Sequence, residues 1–215
     1  FQPFNIDFNK ALHTLQQGRL RRNVKILAKL AQLGVSISEN ELGKISQIGQ
    51  TGRPHIARLL VKKNVVKNMD EAFTKYLGMG AVAYTPRLVF DAEEAIRLIQ
   101  HAGGIAVLAH PLQVEKSGTR LEDAIAGLVA EGLDGVEAYY PTHSKKQKKM
   151  FVEMAKRNNL IVTGGSDYHG NVRPGTTLAG GKNVSVPDVL VQMKERAAQN
   201  REKHNLSVAD LGMSL

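Results

Sequence analysis

The chain has 215 residues and no cysteine, which excludes disulfides and thiolate metal sites. That length suffices for one sizeable core, or one core with a small subdomain, and no apolar run approaches a membrane span. A formal net charge of +9 favours phosphates and nucleic acid as partners, and with no tryptophan a stacking platform for single-stranded bases is not evident. No secretory signal is visible, so a cytoplasmic location with no membrane partner is expected. Phe1 is not an initiator methionine, and a missing N-terminal segment of the same protein is expected upstream of it.

Residues 1–8 read as the tail of a strand and a loop, with Asn9 as cap of the helix that follows. From Lys10 to Leu33, apolar residues recur at helical spacing, with Gly18 a break and Gly34 a C-terminal cap. Arg19, Arg21 and Arg22 cluster on this stretch, either as a solvated face or as a guide for a phosphate backbone. Ser38 with Glu41 fits a capping box. In Gly52-Arg53-Pro54-His55, Pro54 suits the first turn of a helix. Arg53 and His55 then stand at its N-terminus, where the dipole favours an anion, although a locally packed histidine fits equally. Asn68 or Asp70 opens another helix, closed by Gly78 and Gly80. Tyr84-Thr85-Pro86-Arg87 reads as a linker, its arginine a weak phosphate contact.

From Phe90 onward helices and strands alternate, and this pattern argues for a parallel sheet or barrel. Asp91 caps a helix from Ala92 to His101, and strands are predicted at 105–109, 135–140 and 160–163. The first ends in Ala109-His110-Pro111, the third in Gly164-Gly165-Ser166-Asp167-Tyr168-His169. Polar residues at the C-terminal ends of such strands are where α/β folds put their chemistry. In extended backbone Asp167 and His169 point the same way, as a shared cation requires. His143 follows the middle strand, as a substrate contact or a plain loop histidine. Glu137 lies inside that strand, supporting a site or facing outward. The run of lysines from Lys145 to Lys149 reads as a solvated helix face. Residues 170–181 form a glycine-rich loop, 183–187 a last strand, and 187–198 a final helix.

Together, Ala109-His110-Pro111, Gly165-Ser166-Asp167-Tyr168-His169-Gly170, Thr51-Gly52-Arg53-Pro54-His55-Ile56-Ala57-Arg58 and Ala72-Phe73-Thr74-Lys75-Tyr76-Leu77-Gly78 resemble motifs of the polymerase-and-histidinol-phosphatase (PHP) superfamily. They look like its TrpH-type branch, which includes 3′,5′-nucleoside bisphosphate phosphatases and the exoribonuclease RNase AM. The resemblance implies an α/β fold: the C-terminal part of a distorted (β/α)7 barrel over 1–12 and 86–206, a helical insertion over 13–85, and a tail at 207–215. It implies a phosphoesterase using two or three divalent ions (manganese, zinc, magnesium or iron). His110, Asp167 and His169 match three ligands, Arg53 and His55 the binders of the substrate phosphate. The expected substrates are nucleotides or short RNA. Two alternatives are a non-catalytic nucleotide- or RNA-binding remnant and a sugar- or histidinol-phosphate phosphatase. The opening H-x-H motif of the family is absent, so the chain is expected to be the C-terminal two-thirds of a longer enzyme.

Overall fold

Helix ends in this chain are fixed by short polar side chains. Asn68, Asp91 and Ser144 each accept from a backbone N–H three residues on. Ser38 forms the expected reciprocal capping box with Glu41. In the computed structural model, residues 1, 3–45, 51–114, 120–169, 177–178, 184, 186 and 188–210 are described, the side chains of 204–210 aside. They fall into two units, Lys10–Val89 and the pair Phe1–Asn9 with Phe90–Leu215.

The first unit is helical. α1 (Ile6–Gln32) starts in the other unit and supplies most of its length here, followed by α2 (Glu39–Lys44), α3 (Arg53–Lys62) and α4 (Met69–Ala72). A π-helical turn over Phe73–Leu77 continues α4. Ile26, Leu30, Ile56, Leu60 and Leu77 are fully buried at its centre. Two expectations at the start are corrected. Residues 6–8 are helix, and the cap is Asn5, whose Oδ1 accepts from Phe8 N at 2.9 Å. Asn9 lies inside the helix, its amide bonding back to the carbonyls of Pro3 and Asn5. Gly18 does not break α1, because it is there for space: a Cβ would stand 3.0 Å from Leu88.

The second unit holds α5 (Ala92–His101), β1 (Val107–Leu108), α6 (Leu121–Ala130), β2 (Gly135–Tyr139), α7 (Lys145–Arg157), β3 (Ile161–Gly164) and α8 (Val189–Asp210). Among the described residues the strands form one parallel sheet in the order β1-β2-β3. The expected strand at 105–109 shortens to two residues. The final helix runs to Asp210 instead of stopping near 198, so residues 207–210 are helical. Its buried Asn200, two residues past that point, is anchored in the unit. The amide donates to Gly104 O and to both oxygens of Asp134, a carboxylate only 2 % exposed that also accepts from Ala106 N at 2.8 Å. Phe151, Ile125, Leu121 and Val136 fill the core between sheet and helices. The expected glycine-rich loop, and most of the expected last strand, lie outside the described residues. No helix among the described residues is long and apolar enough to cross a membrane.

Candidate metal and phosphate sites

Parallel strands bring their C-terminal ends to one edge of the sheet, and three loops meet there. After β1 the chain turns at His110, whose backbone is left-handed (φ 44°, ψ 54°), and buried Pro111 starts a short 3₁₀ turn. His110 N donates to Glu137 Oε2 at 2.9 Å. Glu137 therefore faces inward, supporting the β1 loop. A β-bulge between Glu137 and Tyr139 brings the end of β2 out of strict alternation.

The two glycines after Thr163 are there for close approach. A Cβ on Gly164 would collide with Val184 O and the Tyr139 side chain, and one on Gly165 would stand 3.1 Å from Glu137 Oε1. Gly165 N donates to Tyr139 O at 3.0 Å. The loop then carries Asp167, also left-handed at φ 50°. Its Oδ1 lies 3.6 Å from His110 Nε2 and 3.4 Å from His169 Nδ1. Its Oδ2 accepts from Tyr140 OH at 2.8 Å.

His110, Asp167 and His169 are thus grouped across 59 positions of sequence. His169 Nδ1 lies 2.7 Å from the backbone carbonyl of Asp167. A carbonyl only accepts, so Nδ1 carries the proton and Nε2 keeps the lone pair a cation needs. Two imidazoles and a carboxylate suit zinc, manganese or iron in kind. Even so, among the described residues no three such side chains converge in ligating geometry. His143, expected as a substrate contact, is 5 % exposed. Its Nδ1 donates to Ala138 O at 2.9 Å, and its ring packs between Tyr140 and Phe151. Tyr140 was not singled out from the sequence. Its pairing with Asp167 spans 27 residues and leaves no local pattern.

The helical unit holds the other candidates, at the start of α3. Asn23 on α1 donates to Thr51 Oγ1 at 3.0 Å, fixing the loop before the helix. Gly52 N donates to His55 Nδ1 at 3.2 Å, so His55 carries its proton on Nε2 as a neutral donor. Burial, and then the charge of Arg58, hold its pKa below the ordinary 6.5. Arg53 donates to Leu77 O at 3.1 Å, and its guanidinium lies 5.9 Å from the ring centres of Phe73 and Tyr84. The π-helical turn presents that carbonyl. It closes by Gly78 N donating to Phe73 O at 2.7 Å, and a Cβ at Gly78 would stand 2.6 Å from the same oxygen. The Phe73-to-Gly78 motif is, physically, a device that holds Arg53.

A scan against protein-family models returned no match. The chain is similar to the 5′-3′ exoribonuclease of Haemophilus influenzae, at 33 % identity over 83 % of its length and 64 % of the relative. It is 32 % identical to the 3′,5′-nucleoside bisphosphate phosphatase of Chromobacterium violaceum, over 74 % of this chain and 56 % of that one. The Escherichia coli 5′-3′ exoribonuclease Rnm is 31 % identical over 77 % of this chain and 58 % of its own. Thus the chain spans less than two thirds of the length of these relatives.

Two solved structures resemble it, each at 28 % identity and over 91 % of this chain. One is a candidate metal-dependent phosphoesterase from Bifidobacterium adolescentis, with a TM-score of 0.74 over 68 % of its length. The other is an amidohydrolase from Chromobacterium violaceum holding sulfate and no metal, with a TM-score of 0.71 over 69 %. The class these comparisons define is that of metal-dependent phosphoesterases. Within it, the homologues carry the names expected of the TrpH-type branch of the PHP superfamily, the one the motifs resemble.

Proposed function

We propose that this chain is the larger part of a metal-dependent phosphoesterase acting on 3′,5′-nucleoside bisphosphates or on the 5′-phosphorylated ends of short RNA. The observation that carries the reading is the approach of His110 Nε2 to Asp167 Oδ1, 3.6 Å, from the ends of two different parallel strands. His110, Asp167 and His169 would hold a divalent ion, as three of the ligands of a two- or three-ion site. When bound, such an ion supplies Lewis acidity and a water acidified enough to attack phosphorus. Tyr140 fixes one oxygen of Asp167, and Glu137 fixes the loop of His110. Buried His143 braces Tyr140 from behind and does not meet substrate. Arg53, pinned by Leu77 O, and neutral His55 bind a substrate phosphate. The sulfate held by the Chromobacterium neighbour, a phosphate-like anion, is consistent with such a site.

The finer architecture we propose is a (β/α)7 barrel of which β1 to β3 are a part, interrupted by the helical unit as an insertion. A nucleotide substrate agrees with a cytoplasmic location. The test is zinc and manganese titration of the chain and its Asp167→Ala variant, with phosphate release from adenosine 3′,5′-bisphosphate and histidinol phosphate measured for a version extended through the H-x-H motif. Metal retention lost in the variant, with chelator-sensitive release from the bisphosphate, supports the reading. If neither protein retains metal and RNA still binds in the presence of chelator, the chain is a binding module instead.

A further inference from the structure

The loop that carries Asp167 and His169 has an aromatic residue at its tip. Tyr168 lies between the two, and the approach of His169 Nδ1 to Asp167 O, 2.7 Å, closes a small ring of backbone and imidazole around it. The side chain of the middle residue projects outside such a ring. Asp167 is 14 % exposed and His169 54 %, so the grouping is closed at the carboxylate and open on the side of His169. Tyr168, next to His169, is itself 45 % exposed.

Three tyrosines stand at this edge of the sheet. Tyr140 is buried, and its hydroxyl is committed to Asp167 Oδ2. Tyr139 is half-buried, its Cβ 2.7 Å from where a Cβ on Gly164 would be. Tyr168 is the exposed one. An aromatic ring left in water at a loop tip contributes little to the core, and loop tips on a rigid sheet are where ligand contacts concentrate. Consecutive Cα atoms are about 3.8 Å apart, so the ring is tethered one residue from each of two side chains read as cation ligands.

We propose that Tyr168 is a stacking platform for the base of the nucleotide whose phosphate meets the cation, so that the site selects nucleotides over base-free sugar phosphates. This rests on reading His110, Asp167 and His169 as the cation site. The composition, without tryptophan, shows no such platform, but one base needs only one ring in the right place. Stacking on an aromatic face changes affinity by about 5–150-fold and accepts every base, because each has a π-face. Selection therefore depends on the presence of a base more than on its identity.

The experiment is calorimetric titration of the chain, with manganese present, using adenosine 5′-monophosphate, uridine 5′-monophosphate and ribose 5-phosphate. The three share a sugar and a phosphate and differ in the base. The wild type is expected to bind the adenosine nucleotide about 5–150-fold more tightly than ribose 5-phosphate, with the uridine nucleotide between them. Tyr168→Ala should bring both nucleotides to the affinity of ribose 5-phosphate, while the affinities for ribose 5-phosphate and for manganese stay as they were. Tyr168→Phe should keep the preference, because the ring face and not the hydroxyl makes the contact. The exposure of Tyr168 keeps both variants clear of the core. Equal binding of the adenosine nucleotide and ribose 5-phosphate by the wild type overturns the proposal, as does a preference that survives in Tyr168→Ala. Loss of manganese or ribose 5-phosphate affinity in Tyr168→Ala also overturns it, since the residue would then serve the shape of the loop. Ribose 5-phosphate binding that chelator leaves unchanged refutes the cation reading beneath the proposal, which separates that failure from a failure of stacking alone.

Discussion

Replacing Gly78 by alanine tests whether the π-helical turn exists to hold Arg53. Gly78 has an ordinary φ of −72°, so alanine meets no backbone strain there. The obstacle is contact: the new Cβ would lie 2.6 Å from Phe73 O. Relief requires the turn to open by several tenths of an ångström beside the fully buried Leu77. Overpacking of this kind costs about 1–3 kcal/mol, and losing the Gly78 N to Phe73 O bond adds roughly 0.5–1.5 kcal/mol. The expected loss is therefore about 2–4 kcal/mol, read as a shift in the urea midpoint. Opening the turn also moves Leu77 O away from Arg53, so affinity for inorganic phosphate should fall together with stability.

Gly80→Ala is the matched control. Gly80 has φ +82° and nothing near its Cβ position, so alanine there costs about 1 kcal/mol through backbone strain alone and leaves Arg53 anchored. Should Gly78→Ala lose no more stability than Gly80→Ala and keep its phosphate affinity, the link from glycine to arginine is wrong.

Asp134→Ala removes a buried carboxylate with four partners, on α5, just before β1 and on α8. It should cost about 3–5 kcal/mol in urea unfolding and expose α8 to proteolysis first. His55, held neutral below the ordinary 6.5, binds fewer protons folded than unfolded, so its stability contribution is present above that value and lost as pH falls through the folded pKa. His55→Gln should flatten that acid-side loss in a series of melts between pH 7.5 and 5, values chosen to bracket the ordinary 6.5. Glu137→Ala removes the acceptor of His110 N and should weaken zinc affinity by about 10–100-fold in a chelator competition. Gly127→Ala, within α6 with open space at its Cβ position, should stabilise by about 0.4–1 kcal/mol on thermal unfolding.

Local features could be read from the sequence because their causes are local. Ser38 with Glu41, Pro54, Asn68 and Asp91 each act within four residues, and each helix start stands where those residues put it. Asn9 misled for the same reason: Asn5, four residues earlier, has the same side chain and an equally good run behind it. Gly18 read as a break because sequence shows the missing side chain, not the Leu88 that fills the space. His143 shows where strand-end reasoning stops. The turn after Tyr140 brings His143 N to Tyr140 O and folds the ring back onto Ala138 O, into the core. Tyr140 with Asp167 is a pairing of tertiary structure that neither periodicity nor motif spacing encodes.

The backbone at the two loop tips gives a separate reason to regard them as a site. Five non-glycine residues among those described have positive φ. Asn64, Asn159 and Asp188 stand beside helix ends, where Asn and Asp tolerate this conformation. His110 and Asp167 each follow a strand of the same sheet, and each turns its side chain toward the other. A left-handed non-glycine residue costs on the order of 1 kcal/mol or more. Glycine at either position would relieve that strain, as Gly103 does just before β1 at φ +69°. The fold accepts the strain twice, at one edge of one sheet, and its return is the placing of an imidazole and a carboxylate 3.6 Å apart. The same reasoning makes His110→Gly and Asp167→Gly expected to raise thermal stability or leave it level while abolishing metal retention. Loops built only for folding would lose stability in both variants.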